Sequence, residues 1–97
     1  MNIYSINLVV DTKYTDIYDK VALNKFPIII QCADADSLKN KLTDERALRF
    51  IKTNIKSQRV FESASWCIRC FDGTEVDEKN VYDMTWMLTD LGIGLKF

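Results

Sequence analysis

From Asn2 to Val10 the apolar positions Ile3, Tyr4, Ile6, Leu8, Val9 and Val10 are β-branched, aromatic and partly alternating, which predicts a strand that stops at Asp11. The spacing then changes. Tyr14, Ile17, Tyr18, Val21 and Ala22 fall at i, i+3, i+4, i+7 and i+8, one face of a helix that Asp11 or Thr12 can cap and Asn24 can end. Phe26-Pro27-Ile28-Ile29-Ile30-Gln31-Cys32 is a nearly continuous apolar run, read as a strand covered on both faces and therefore the centre of the sheet.

The acidic turn Ala33-Asp34-Ala35-Asp36 leads to Asp36 or Ser37 as cap of the next helix. Neither Gly nor Pro interrupts 38–58, so Leu38, Leu42, Leu48, Ile51 and Ile55 predict a long helix or two short ones, with the break at Thr43-Asp44-Glu45 and Thr43 as the second cap. Val60 to Phe71 alternates, with Val60, Ala64, Trp66, Ile68 and Cys70 on one face and Ser63, Ser65, Cys67 and Arg69 on the other, a half-buried strand. Asp72-Gly73 closes it, with Thr74 to Val76 as a short returning extension. Asp77 then caps a last helix with Val81, Met84, Leu88 and Leu91 on one stripe and Tyr82 and Trp86 on another. Gly92 ends that helix, and Ile93, Leu95 and Phe97 form a final short strand.

The order β-α-β-α-β-α-β predicts an α+β fold, with a mixed four-stranded sheet and about three helices packed mainly on one face. At 97 residues with no linker, repeat or low-complexity segment, residues 1–97 are expected to form one domain.

Composition narrows the chemistry. No apolar run approaches the roughly 20 residues of a membrane-spanning helix, and MNIYSINLVVD has no basic leader or small-residue cleavage site, so a cytoplasmic protein is expected. Three cysteines fit reduced thiols better than a disulfide framework. Histidine is absent, which excludes Ser-His and Cys-His nucleophile pairs, imidazole bases and His-containing zinc sites. Ile, Lys, Asn, Tyr and Phe together make 34 of the 97 residues, and their AT-rich codons point to a low-GC bacterial or phage genome.

Trp66-Cys67-Ile68-Arg69-Cys70 resembles the Trp-Cys-x-x-Cys of thioredoxin-like proteins over five residues, and the resemblance implies a thiol oxidoreductase using Cys67 and Cys70. In that family the cysteines open a helix and face a downstream proline. Here the alternation puts the two thiols on opposite faces of a strand, with Cα atoms roughly 10 Å apart, beyond the limit of about 7 Å for a disulfide.

Charge is divided along the chain. Lys39, Lys41, Arg46, Arg49, Lys52, Lys56 and Arg59 against Asp44 and Glu45 leave 39–59 at +5 in a protein of net charge −1. On a continuous helix Arg49, Lys52, Lys56 and Arg59 share one arc, able to track phosphates or to dock an acidic protein surface. Asp72, Glu75, Asp77, Glu78 and Asp83 form an acidic cluster that matches no calcium-loop spacing. No catalytic residue, cofactor or metal ligand set emerges. The expected function is a small non-enzymatic docking module, a phage-type inhibitor or regulator of a host macromolecule, contacting a protein through the basic arc or through the Tyr82/Trp86 stripe, which could also join two copies. The alternative is nucleic-acid binding through Lys39 to Arg59.

Overall fold

The pairing of the first strand sets the architecture. In the computed structural model, which describes residues 1–10, 21–22, 28–73 and 78–97, β1 (Asn2–Val10) pairs antiparallel with β4 (Ser65–Phe71) from Ile3↔Phe71 to Val9↔Ser65. The other edge of β1 takes β3 (Ile28–Cys32) from Asn2↔Cys32 to Ile6↔Ile28, and β2 (Val21–Ala22) opposite Val9 and Val10. β5 (Val81–Met87) completes the sheet on the far side of β4, from Ser65↔Met87 to Phe71↔Val81. The four main strands run β3-β1-β4-β5 and every pairing is antiparallel.

Strand periodicity sorts the side chains. Tyr4, Ile6, Leu8 and Val10 of β1 and Trp66, Ile68 and Cys70 of β4 all point to one face and are buried. Three helices cover that face: α1 (Ala35–Leu42), α2 (Glu45–Asn54) and α3 (Gln58–Ser63), contributing Leu38, Leu42, Ile51 and Phe61 to the same core, with Ile55 from the α2–α3 connection. The opposite face carries Ser5, Asn7, Cys67, Arg69, Asp83 and Thr85.

Each helix start is capped by a side-chain oxygen. Asp34 accepts from the Ser37 N–H at 2.8 Å, Asp44 from Ala47 at 2.9 Å and Ser57 from Val60 at 3.2 Å, satisfying amides that a helix cannot pair internally. The Ser37 hydrogen bond holds the Asp34 carboxyl below its ordinary range, so this cap is complete above the usual carboxylate pKa and is lost as pH falls through the lowered one.

The α+β class, the four-stranded sheet and the three helices stand as expected, and β1 keeps the predicted bounds. Several elements differ. The sheet is antiparallel rather than mixed. Among the described residues β3 pairs with β1 alone, an edge position rather than the centre, and its Ile29, on the face away from the helices, is 62% exposed. The break at Thr43 is real, but Asp44 rather than Thr43 caps α2, and Asp34 rather than Asp36 or Ser37 caps α1. Val60 belongs to α3, not to β4. Where a helix is predicted from Asp77 to Leu91, the described residues from Glu78 form a 3-10 turn, Glu78–Asn80, then β5, then a second 3-10 turn, Leu88–Leu91, that Gly92 ends at φ 70. No strand forms over 93–97; Ile93 and Leu95 pack against the core and Phe97 lies on Phe61, ring centroids 5.4 Å apart. The helix expected over 11–20 and the extension at 74–76 lie outside the described residues, although Val21 and Ala22, assigned to that helix, pair as strand. Among the described residues no helix is long and apolar enough to cross a membrane.

Ile68, buried at the middle of β4, should cost about 2–5 kcal/mol when cut to alanine, whereas Gln31→Ala on exposed β3 should stay within about 0.5 kcal/mol, both read by urea unfolding.

Candidate functional site

Strand alternation decides the fate of the two-cysteine motif. Cys70 is fully buried beside Tyr4 and Tyr82, its paired neighbours, whereas Cys67 is half-buried on the opposite face, with its sulfur 3.7 Å from Ser65 Oγ. The motif lies within β4 and opens no helix. Cys32, also buried, sits at the end of β3 with its thiol donating to the Asp34 carbonyl at 3.6 Å. Among the described residues no three His, Cys, Asp or Glu side chains gather as a metal site would need.

The sheet face away from the helices, buried at Val9 and Ser65, carries an ion pair. Arg69 Nε donates to Asp83 Oδ1 at 2.9 Å and its terminal nitrogen to Oδ2 at 3.3 Å, a two-pronged pair between directly opposite residues of β4 and β5. Both side chains are well exposed, so the pair fixes geometry more than it stabilises. The guanidinium holds the Asp83 carboxyl below its ordinary range. Ser5, Asn7, Cys67, Arg69, Asp83 and Thr85 line a shallow depression of about 340 Å³ here.

On the helix side, a larger groove of about 570 Å³ runs between β3 and α2, lined by Ile28, Ile30, Leu42, Ala47, Phe50 and Trp66, with Lys41 and Arg46 at its rim. Phe50 stacks on Trp66 at 6.2 Å and 22°. Trp66 Nε1 is buried and has no acceptor among the described residues.

The basic segment lies outward across the helical layer. Arg49 and Lys52, three apart on α2, are exposed, as are Lys56 and Arg59. They do not share one helical arc: the chain leaves the helix at Ile55 (φ −117, ψ 119), so Lys56 sits in the connection, its ammonium donating to the Lys52 carbonyl at 3.2 Å, and Arg59 belongs to α3. Lys39, Lys41 and Arg46 are exposed too, and none of these seven cations meets a carboxylate among the described residues. Of the acidic cluster, Asp72 and Glu78 are exposed, Asp83 is held by Arg69, and Glu75 and Asp77 lie outside the described residues.

Tyr82 and Trp86 do not form a helical stripe beside Val81, Met84 and Leu88. They share the helix-side face of β5 with Met84, Tyr82 47% exposed and Trp86 partly covered. The Cys70 thiol opposite Tyr82, followed by partial desolvation, pushes that phenol up to about 12. Sequence reasoning missed the Arg69–Asp83 pair because it placed Asp83 on a helix; the strict alternation of apolar 82, 84 and 86 with polar 83 and 85 was the signal that could have found it.

Compared with protein-family models, with curated proteins and with solved structures, the chain matches none.

Native protein should expose one reactive thiol, Cys67, to a small alkylating reagent, with Cys32 and Cys70 modified only on unfolding, as mass spectrometry of digested protein would show. Mild oxidation should give no Cys67–Cys70 disulfide; recovering that bond from folded protein would contradict the opposite-face placement.

Proposed function

We propose that this protein acts by docking on another macromolecule rather than by catalysis, and that the docking surface is the basic outer side of α2 and α3. The observation that carries the reading is the set of exposed cations Arg49, Lys52, Lys56 and Arg59, with Lys39, Lys41 and Arg46 nearby, that meet no carboxylate among the described residues. The helical layer also exposes Asp36, Glu45 and Glu62, but the excess of cations over 39–59 raises association rates with an oppositely charged partner and is screened by salt. An acidic protein surface is the favoured partner, because the chain as a whole is slightly acidic, with pI ≈ 5.3, where a nucleic-acid binder is usually basic.

An inhibitor or regulator of a host factor, encoded by a phage and working in the host cytoplasm, fits the small size and AT-rich composition. Nucleic-acid binding through the same residues is the second reading, favoured by their exposure and by the basic balance of 39–59.

The two readings separate in one experiment. Tagged protein and the variant Arg49→Glu/Lys52→Glu/Lys56→Glu/Arg59→Glu are incubated at low salt with lysate of a low-GC bacterial host, with and without nuclease. Docking on an acidic protein requires a stoichiometric partner that survives nuclease, is released by salt and is lost in the folded variant. Nuclease-sensitive capture would move the reading to nucleic acid, and equal capture by both forms would remove the basic layer from the function.

A further inference from the structure

Among the described residues β5 is an edge strand with no partner on its outer side, and that side is self-complementary. The bonds from the Leu88 N–H to the Ala64 carbonyl and from the Asp72 N–H to the Asn80 carbonyl, each 3.0 Å, show that even-numbered residues form the hydrogen-bonded pairs between β4 and β5. The odd residues Val81, Asp83, Thr85 and Met87 therefore turn their N–H and C=O groups away from β4. No described strand pairs with them.

Exposed edges in soluble proteins are usually blunted by proline, lysine, a bulge or short length. Val81-Tyr82-Asp83-Met84-Thr85-Trp86-Met87 has no proline, lysine or bulge, its one charged side chain, Asp83, is held by Arg69, and it pairs with β4 over all seven residues without interruption. The segment also reads alike from both ends. About Met84 it sets apolar Val81 against Met87, aromatic Tyr82 against Trp86 and polar Asp83 against Thr85.

We propose that two copies of this chain join through β5, antiparallel about a two-fold axis at Met84, to form one continuous sheet with both helical layers on the same side. A two-fold interface must be complementary to itself, and this register meets that demand. Val81 pairs with Met87 of the second copy and Asp83 with Thr85, which are the outward-facing residues, so the free backbone groups bond each other. Tyr82 meets Trp86 of the second copy in a non-hydrogen-bonded pair, where side chains lie closest, and the half-exposed Tyr82 ring is covered. Sliding by two residues one way would set Asp83 against Asp83 of the second copy. Sliding the other way would leave Val81 unpaired and set Tyr82 against Leu88, which is fully buried in the following turn. A slide of one residue would oppose outward-facing with β4-bonded residues and mismatch the faces. This association is independent of the basic layer, so charge reversal there leaves it intact.

Sedimentation velocity across a wide concentration range should show a species of twice the 11.3 kDa chain mass. Thr85→Pro deletes an N–H that points away from β4, so it should abolish the dimer while circular dichroism stays that of the parent. In a Cys67→Ser background, Met84→Cys should cross-link two copies on mild oxidation, since its Cα faces its own symmetry mate, whereas Thr85→Cys, facing Asp83, should not. A parent that stays monomeric at every concentration overturns the proposal. So does a dimer that survives Thr85→Pro, and so does cross-linking through Thr85→Cys in preference to Met84→Cys.

Discussion

The antiparallel pairing of β1 with β4 is the constraint on which the rest of the molecule rests. Seven residues of each strand lie opposite one another, and because side chains alternate, this single register puts Tyr4, Ile6, Leu8, Trp66, Ile68 and Cys70 on one face together. A slip of one residue would turn β4's apolar set to the opposite side. The helices then have one surface to cover, and Leu38, Leu42, Ile51, Ile55 and Phe61 cover it. The same register leaves Cys67 and Arg69 on the side away from the helices, which is why a motif that looks like a redox pair is split between two faces of the sheet.

Binding capacity is divided between the faces and the edges of the molecule. The helical layer carries cations on its outer side and apolar residues on its inner side. The sheet face away from the helices mixes polar residues with Ile3, Val9, Ile29 and Phe71, and has its central charges, Arg69 and Asp83, already paired. A paired, neutralised Arg69 and Asp83 offer little electrostatic pull, whereas cations and a strand edge with no partner among the described residues retain unmet bonding capacity. The proposed docking through the helices and the proposed self-association through β5 use separate parts of the molecule, so neither excludes the other.

Much of the fold was legible in the sequence where one period dominated. Asn2 to Val10 reads as strand and is strand, and the inward and outward residues of 65–71 follow from alternation alone. Reading failed where two periods fitted the same residues. Val81, Met84, Leu88 and Leu91 satisfy a helical spacing, but Tyr82, Met84 and Trp86 alternate with Asp83 and Thr85, and pairing to β4 decides in favour of the strand. Phe26 to Cys32 misled differently: an apolar run signals burial on both faces only if both are covered, and Ile29, on the face away from the helices, is 62% exposed. The basic arc was overextended because a run free of Gly and Pro was read as helix, while the extended backbone at Ile55, and Ser57 as a new cap, divide it. The cations themselves were legible; their relative placement was not, because it depends on that break.

The pairing of β5 on β4 decides whether the outer edge exists, whether Arg69 meets Asp83, and where Tyr82 and Trp86 point. The most direct test is the pattern of nuclear Overhauser contacts in labelled protein. Odd-numbered residues of β4 and β5 form the non-hydrogen-bonded pairs, so strong cross-strand Hα–Hα contacts should join Cys67 to Thr85 and Arg69 to Asp83. Contacts from Hα of residue i to residue i+3 running through 81–91, with no Hα–Hα contact to β4, would make that segment a helix and contradict the account.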